Sequence, residues 1–130
     1  MLKIGDTREV KFTVTEDTTA AVFASGAERV LATPYLVAKF EDASFSLLQD
    51  SLPEGKGSVG MNVNIEHLAP SPVGMECRAV AEVINISENG KFVEFKVEAY
   101  DSKGIIGRGT HTRAVIDRER FMIKANAKMD

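Results

Sequence analysis

The stretch Ala32–Gly55, "ATPYLVAKFEDASFSLLQDSLPEG", predicts the one long helix of the chain. Thr33 followed by Pro34 is typical of a helix start, with the threonine as N-cap and the proline in the first turn. Pro53 and Gly55 predict where the helix ends. At about 100° per residue, polar side chains occupy one arc of this helix and apolar side chains cover the other side, so we expect it to pack on a sheet. The polar arc consists of Lys39, Asp42, Ser46, Gln49 and Asp50.

The sequence on both sides of this helix predicts strands. Before it, "TREVKFTVTED" (7–17) alternates as a strand does, and "DTTAAVFASGAERVLA" (17–32) indicates a short helix and a loop. Four strand patterns follow the helix, and tight-turn signals such as Asn89-Gly90 separate them. They are "GMNVNIEHL", "MECRAVAEVINIS", "KFVEFKVEAYD" and "IIGRGTHTRAVIDRERF". We therefore expect an α+β fold, an antiparallel meander covered on one face by the helix, whose open sheet edges favour a homodimer.

Composition narrows the class of protein. The chain of 130 residues fits one domain, 1–130, and its net charge of −3 comes with no basic stripe of the kind that binds nucleic acid. The single cysteine, Cys77, excludes an intrachain disulfide and indicates a reducing cytoplasm. No signal peptide is evident, and no apolar run approaches the ~18 residues of a membrane span. We expect a cytoplasmic protein without nucleic-acid or membrane partners.

Two ionisable residues lie where periodicity predicts burial. Glu41 falls within the apolar arc of the predicted helix, and His67 continues the alternation of Met61, Val63 and Ile65. A buried carboxylate costs several kcal/mol unless it is paired. A carboxylate and an imidazole meeting in one cleft would satisfy each other and could act as a general-base pair. The alternatives are a purely structural ion pair, or a glutamate at the helix edge that reaches solvent.

Thr33 and Gly60 are candidates with strong structural explanations. N-capping alone accounts for Thr33, and eight residues of helix separate it from Glu41 by roughly 12 Å. The two could meet only if the chain bends back at Thr33, or if two subunits share one site. Gly60 would let a ligand approach the backbone and could offer its N–H to an oxyanion, although a turn or bulge glycine is the commoner explanation.

"GRGTHTRAV" adds Arg113 and His111 on one strand face. Arg113 could bind a phosphate or carboxylate in bidentate fashion, or form a solvated ion pair. His111 could be a second base, but a lone strand histidine is more often structural. A metal site of His67, His111 and Glu41 lacks any tight ligand spacing, so we expect no metal.

Three stretches together resemble a known family. They are "LATPYLVAKFEDA", "GSVGMNVNIEHLAPSPVG" and "GRGTHTRAVI", and with the strand signals they span most of the chain. The middle stretch is the most specific, with a glycine followed seven positions later by a histidine, closing on a Pro-x-Gly turn. The chain resembles the fluoroacetyl-CoA thioesterase-like family of the hotdog fold.

The resemblance implies a fold, an activity and a set of residues. It implies an antiparallel sheet wrapped around one long central helix, a homodimer with sites at the subunit interface, and hydrolysis of a small or medium acyl-CoA without a cofactor. The catalytic threonine, glutamate and histidine of the family fall on Thr33, Glu41 and His67. Gly60 matches the glycine beside the thioester, and Arg113 matches an arginine of the active-site region.

The resemblance has departures, and other functions fit the same fold. The fluoroacetyl-specific member has bulky aromatic residues shortly before its catalytic threonine, whereas this chain has "SGAERVLA" there, with Phe23 the nearest aromatic upstream. Fluoroacetyl selectivity is therefore not implied. The alternatives to a thioesterase are a non-catalytic acyl-CoA or acyl-carrier binding module and a hotdog acyl dehydratase, because fold alone does not determine function.

Overall fold

The computed structural model describes the whole chain, Met1–Asp130. The order of a strand, a long helix and four further strands is confirmed, and with it the α+β class. The elements are β1 (Thr7–Thr13), α1 (Thr33–Gln49), β2 (Lys56–His67), β3 (Glu76–Ile86), β4 (Phe92–Asp101), β5 (Gly104–Asp117) and α2 (Arg118–Asn126), with 3₁₀ turns at Glu16–Thr18 and Ala127–Met129. None of the helices combines the length and apolar character needed to cross a membrane.

The five strands form one antiparallel sheet in the order β1-β3-β4-β5-β2. Strands β3, β4 and β5 form the expected meander, but β2 pairs with β5 at the far edge, so the prediction of a four-strand meander is wrong for β2. The connection between β2 and β3 explains the difference. It contains Pro70 and Pro72 and is too long for a tight hairpin, so β3 starts at a distance from β2.

Helix α1 packs its apolar face onto one side of this sheet. The helix residues with buried side chains include Leu36, Phe40, Ala43, Leu47 and Leu48. They meet buried side chains of the inner strands, among them Phe95 at the centre of β4. Cys77 also lies in this core, as expected for a small apolar residue in a strand. Truncation of a buried phenylalanine such as Phe40 to alanine costs about 3–5 kcal/mol.

The chain differs from expectation at two segments. The predicted short helix in residues 17–32 is wrong beyond a single 3₁₀ turn, and the rest of that segment is irregular. The last strand was expected to reach Phe121, but β5 ends at Asp117 and α2 follows. The Asp117 carboxylate accepts a hydrogen bond from the backbone N–H of Arg120, which makes it the N-cap of α2.

Strand β2 is an edge strand interrupted by a β-bulge. The pairing register with β5 shifts between Gly60 and Asn62, which leaves Met61 as the extra residue, with 58% of its surface exposed. A bulge displaces the alternation of side chains by one position. Gly60 and His67 would point to opposite faces of a regular strand, and the bulge brings both to the face that carries α1. The regular alternation expected from the sequence is therefore interrupted at Met61.

Candidate active site

The first part of the site joins the start of α1 to the end of β2. The hydroxyl oxygen of Thr33 lies 2.8 Å from Nδ1 of His67, within hydrogen-bond distance. Thr33 is the first residue of the helix, and Ala32 occupies the N-cap position without a side-chain cap. The prediction that Thr33 caps the helix is therefore wrong. Its hydroxyl is engaged with the imidazole instead, so the first turn of α1 serves to place a hydroxyl beside a base.

The second ring nitrogen of His67 has no partner. Nε2 is shielded from solvent and makes no hydrogen bond within the chain. Leaving such a group unpaired costs on the order of 1–3 kcal/mol, and unpaired polar atoms of this kind are rare in folded proteins. Burial lowers the pKa of His67, opposed in part by the backbone of Ala69. The imidazole is therefore neutral at pH 7 and able to take up a proton.

Thr33 and His67 line a cavity of 270 Å³. Its other walls come from the irregular segment before α1 and from the turn after β2: Ala20, Ser25, Val30, Leu31, Leu68, Ala69 and Pro70. Phe23 does not line this cavity. Its ring packs edge-on against the Tyr35 ring, with 6.1 Å between the centroids. The space beside the histidine is small and its walls are largely apolar.

The second part of the site lies further along α1 and β2. An oxygen of the Glu41 carboxylate is 3.6 Å from Nη1 of Arg113, which is only 6% exposed. The same oxygen would lie 2.7 Å from a Cβ placed on Gly60, so a side chain there would displace the carboxylate. Glycine at position 60 therefore allows Glu41 to rest directly against the backbone of the bulge.

Arg113 is held by several partners. Its Nε donates to the Ser58 hydroxyl at 2.9 Å and its Nη2 donates to the Ser58 carbonyl at 3.1 Å. The guanidinium also lies over the Phe45 ring, 5.5 Å from the centroid. Burial lowers the pKa of Arg113, and the Glu41 carboxylate opposes that shift, so the group remains a cation at neutral pH. A buried guanidinium whose N–H groups are held in place by these contacts fixes the position of the carboxylate beside it.

His111 lies two positions before Arg113 on the same face of β5 and is completely buried. Its Nδ1 lies 2.8 Å from the carbonyl oxygen of Asn62, which can only accept, so Nδ1 carries the proton. Its Nε2 then accepts from Nη1 of Arg113 at 3.1 Å. Burial is the main cause that lowers the pKa of His111, so the ring is neutral. Both nitrogens are occupied, which favours the structural alternative over a second base.

The structure groups the predicted residues differently from the sequence. Thr33 is paired with His67, and Glu41 is grouped with Gly60 and Arg113. The ion pair of Glu41 is with Arg113 and not with His67, and its side chain is 41% exposed, so the predicted buried Glu41–His67 pair is wrong within one chain. Glu41 lies at the margin of the apolar arc, and its carboxylate rests on β2 and β5 beside Gly60 and Arg113.

One contributing residue was not recognised from the sequence. Ser58 holds Arg113 through both its hydroxyl and its carbonyl. It lies two positions before Gly60, on the same strand face, and that spacing was the signal available. His67, His111 and Glu41 do not form a group that could hold a metal ion.

Comparison with known proteins gives a consistent result. The profile of a family described as fluoroacetyl-CoA-specific thioesterase matches residues 14–119. The fluoroacetyl-CoA thioesterase of Streptantibioticus cattleyicolor is 34% identical over 99 residues, which cover 76% of this chain and 70% of that protein.

Solved structures agree with the sequence comparisons. The fluoroacetyl-CoA thioesterase FlK superposes with a TM-score of 0.92 at 28% identity, covering 98% of both chains. A mutant of FlK in complex with fluoroacetate and CoA gives a TM-score of 0.86 at 29% identity, covering 92% of this chain and 99% of that one. A hot-dog-like protein from Thermanaerovibrio acidaminovorans, at 21% identity and a TM-score of 0.89, covers 98% of this chain and 93% of that one and shares the fold. The fold predicted by resemblance is thus confirmed as a hotdog fold, and the chain belongs to the fluoroacetyl-CoA-specific thioesterase family.

Proposed function

We propose that this protein hydrolyses the thioester bond of a small or medium acyl-CoA. The observation that carries the proposal is the pairing of Thr33 with His67 while Nε2 of the histidine stays shielded and unpartnered. A folded protein keeps such a nitrogen at a cost in stability, and a neutral imidazole placed in a small cavity is suited to general-base catalysis. Membership of a thioesterase family supports the reaction type.

The roles of the residues follow from their surroundings. Glu41, anchored by Arg113, attacks the thioester carbonyl carbon or deprotonates the attacking water. The N–H of Gly60 is the donor that we assign to the developing oxyanion. In the nucleophile route, CoA leaves as the thiolate when the mixed anhydride with Glu41 forms, and His67 then takes a proton from the water that cleaves the anhydride and passes it to the thiolate. In the water route, Glu41 takes the proton from water and passes it through the imidazole of His67 to the departing CoA thiolate. In both routes the Thr33 hydroxyl fixes the imidazole ring in the required orientation.

One substrate must reach both groups of residues, and within one chain they are well separated. Thr33 and Glu41 are about 12 Å apart along α1, and seven residues of β2 separate Gly60 from His67 by roughly 20 Å. We propose that a second copy of the chain pairs with the exposed edge of β2. An antiparallel pairing of the two β2 strands would bring Gly60 and Glu41 close to His67 of the partner subunit.

The dimensions of the cavity support a short acyl group. At 270 Å³, the space beside Thr33 and His67 is below the usual range of sites for drug-sized ligands. Because Phe23 packs on Tyr35 outside this space, we do not assign selectivity for a fluorinated acyl group. The lone Cys77 supports a reducing compartment, and we place the enzyme in the cytoplasm.

The proposal is tested by thiol release from a panel of acyl-CoAs, from acetyl to long-chain. We expect the parent protein to release CoA most readily from short chains, and His67→Ala to lower kcat by about 10²–10⁴-fold. Glu88→Gln, an exposed position in the turn between β3 and β4, is the control and should keep the parent rate. Hydrolysis by His67→Ala at the parent rate would contradict the catalytic assignment. Acyl-CoA binding without release by the parent would favour the binding module.

The role of Glu41 has a separate test. In a single turnover in ¹⁸O-labelled water, nucleophilic attack by Glu41 gives a mixed anhydride, and water that opens it at the glutamyl carbon places the label in the Glu41 carboxylate. Direct attack of water on the thioester places the label only in the released acid, so label in Glu41 identifies the nucleophilic route. Mass spectrometry of the peptide that contains Glu41 distinguishes the two routes. Glu41→Gln should lower kcat in either case.

A further inference from the structure

A chain of buried hydrogen bonds lies beside Gly60, and the roles proposed above do not account for its histidine. Nδ1 of His111 donates to the carbonyl oxygen of Asn62 at 2.8 Å, and Nε2 accepts from Nη1 of Arg113 at 3.1 Å. Arg113 continues the chain to Ser58, whose hydroxyl and carbonyl oxygens both accept from the guanidinium. His111 is therefore the middle member of a link that begins at Asn62 and ends at Ser58.

The two ends of this link lie on either side of the β-bulge. Ser58 lies two residues before Gly60, and regular pairing with β5 resumes at Asn62. A Cβ placed on Gly60 would lie 3.3 Å from Cε1 of His111 and 3.6 Å from Nη1 of Arg113, so Gly60 rests directly against the link. A bulge disrupts the hydrogen-bond ladder that holds a regular strand. Two side chains of β5 here hold β2 on both sides of that disruption.

The imidazole is chemically suited to the middle of the link. The Asn62 carbonyl can only accept and the guanidinium can only donate, so the group between them must donate at one end and accept at the other. A neutral imidazole does both with one rigid ring. Burial is the main cause that lowers the pKa of His111 and keeps it neutral; the charge of Arg113 adds to this shift, and the Asn62 carbonyl and Glu41 oppose it. The ring also stacks on Phe95, with 6.3 Å between the centroids, which limits its movement.

The groups assigned to the reaction lie against this link. The N–H of Gly60 is the assigned oxyanion donor, and the Glu41 carboxylate lies 3.6 Å from Nη1 of Arg113. A misplacement of about 1 Å among such groups can cost about 100-fold in rate. We propose, resting on the proposed function, that His111 is a positioning residue: it fixes the bulge relative to Arg113, so that the oxyanion donor and the carboxylate face the same thioester carbonyl. His111 itself neither takes up nor gives a proton in the reaction.

Amide side chains separate the two contacts of His111. In His111→Asn the amide nitrogen can still donate to the Asn62 carbonyl, but nothing accepts from Arg113. In His111→Gln the amide oxygen can still accept from Arg113, but the Asn62 carbonyl loses its donor. We expect kcat for acyl-CoA to fall at least about tenfold in each variant and KM to change less than about threefold, because a link fails when either end is released. His111→Phe loses both contacts and should lower kcat by about as much as the slower amide variant.

Val14→Ala is the matched control for lost stability. Val14 is buried and follows β1, which forms the edge of the sheet opposite to β2. This variant should lower the midpoint of urea unfolding, as the His111 variants do, and should keep the parent kcat under conditions in which the protein is folded. Parent-like kcat in folded His111→Asn and His111→Gln would overturn the inference, and so would an equal fall of kcat in Val14→Ala.

A spectroscopic test uses the parent protein and depends neither on turnover nor on the folding of a His111 variant. The chain has two histidines, so ¹⁵N-labelled histidine reports on two rings, which His67→Ala assigns. We expect the His111 ring to be neutral at pH 7, with its proton on Nδ1. The opposite tautomer or a protonated ring would overturn the inference.

The proposed function and the positioning role can fail separately. Absence of thiol release by the parent with any acyl-CoA would overturn the proposed function and with it the positioning role. Release by the parent together with parent-like kcat in both amide variants would overturn the positioning role of His111 alone.

Discussion

His67 and His111 lie on neighbouring strands of one sheet, yet their ring nitrogens have different partners. Both nitrogens of His111 are occupied, one by the Asn62 carbonyl and the other by Arg113. His67 uses only Nδ1, toward Thr33. Burial lowers the pKa of both rings, so that property alone does not separate a catalytic from a structural histidine. The unpartnered Nε2 of His67 separates the two roles, because only His67 can exchange a proton without breaking an existing contact.

The lowered pKa of His67 predicts the pH profile of thiol release. Because burial disfavours the imidazolium, the folded pKa lies below the ordinary value of 6.5, and the neutral base is the main form at pH 7 and above. We expect kcat/KM to be level above pH 7 and to fall on acidification, with a midpoint below 6.5. A midpoint above 6.5 would show that the imidazolium is stabilised in the free enzyme, contrary to the proposed role.

Gly60 offers a test of the contact with Glu41. In Gly60→Ala, the new Cβ would lie 2.7 Å from the carboxylate oxygen, and the flexible end of the glutamate can move away. We expect a stability change below about 1 kcal/mol in urea unfolding and a fall in kcat of at least tenfold. Gly57→Ala is the matched control, since its Cβ would press on the Arg118 side chain instead. Parent-like turnover by Gly60→Ala would remove the close approach from the mechanism.

At the scale of elements, local sequence signals predicted the helix and the hairpin, but they did not predict which distant strands pair. Proline at the start of α1 and the proline and glycine beyond its end predicted its extent, and Asn89-Gly90 predicted the β3–β4 hairpin. No local signal states that β2 must pair with β5, because that choice depends on how the chain crosses the sheet. Helix α2 escaped notice because "RERFMIKAN" has no clear apolar stripe, and its start depends on the Asp117 cap.

The same contrast applies to the site. Periodicity singled out Glu41 and His67. It could not show that the bulge at Gly60 places Gly60 and His67, which would lie on opposite faces of a regular strand, on the same face. Nor could it show that the Thr33 hydroxyl contacts the imidazole of His67 on β2 and does not cap the helix. Contacts of this kind depend on tertiary packing, which local sequence preferences do not determine.

The start of α1 provides a prediction about Thr33. If the hydroxyl acts only through His67, Thr33→Ala should lower kcat and lower stability in the parent, but should cost no further stability in the His67→Ala background. A capping hydroxyl would instead cost about 1 kcal/mol in both backgrounds. A double-mutant cycle measured by urea unfolding distinguishes the two. Thr33→Ser retains the hydroxyl and should retain most of the turnover.

The β2–β5 interface provides a prediction about Gly109. A Cβ at this position would overlap the carbonyl oxygen of Asn64 and lie 2.6 Å from Cα of Ile65, both backbone atoms that cannot rotate away. We expect Gly109→Ala to lower the free energy of unfolding by at least about 2 kcal/mol and to abolish turnover, because β2 must separate from β5. Gly26→Ala meets only an ordinary contact with Ala20, so it should be nearly neutral. A parent-like unfolding midpoint for Gly109→Ala would contradict this close strand approach.

At the scale of the whole molecule, β2 connects the two parts of the proposed site. Its bulge carries Gly60, and its end carries His67. It is also an edge strand with an exposed apolar residue, Met61, at the bulge. Long exposed edges with apolar side chains are normally covered, and a second copy would cover this one while completing the reaction centre.

Subunit complementation tests this arrangement directly. Glu41→Gln and His67→Ala should each be inactive as homodimers, but a heterodimer of the two would hold one site with both native residues if the site crosses the interface. Refolding an equal mixture should then restore about a quarter of the parent rate, since about half of the dimers are mixed and one of their two sites is intact. A site contained within one chain would remain inactive in every dimer of the mixture, and so would a protein that does not dimerise.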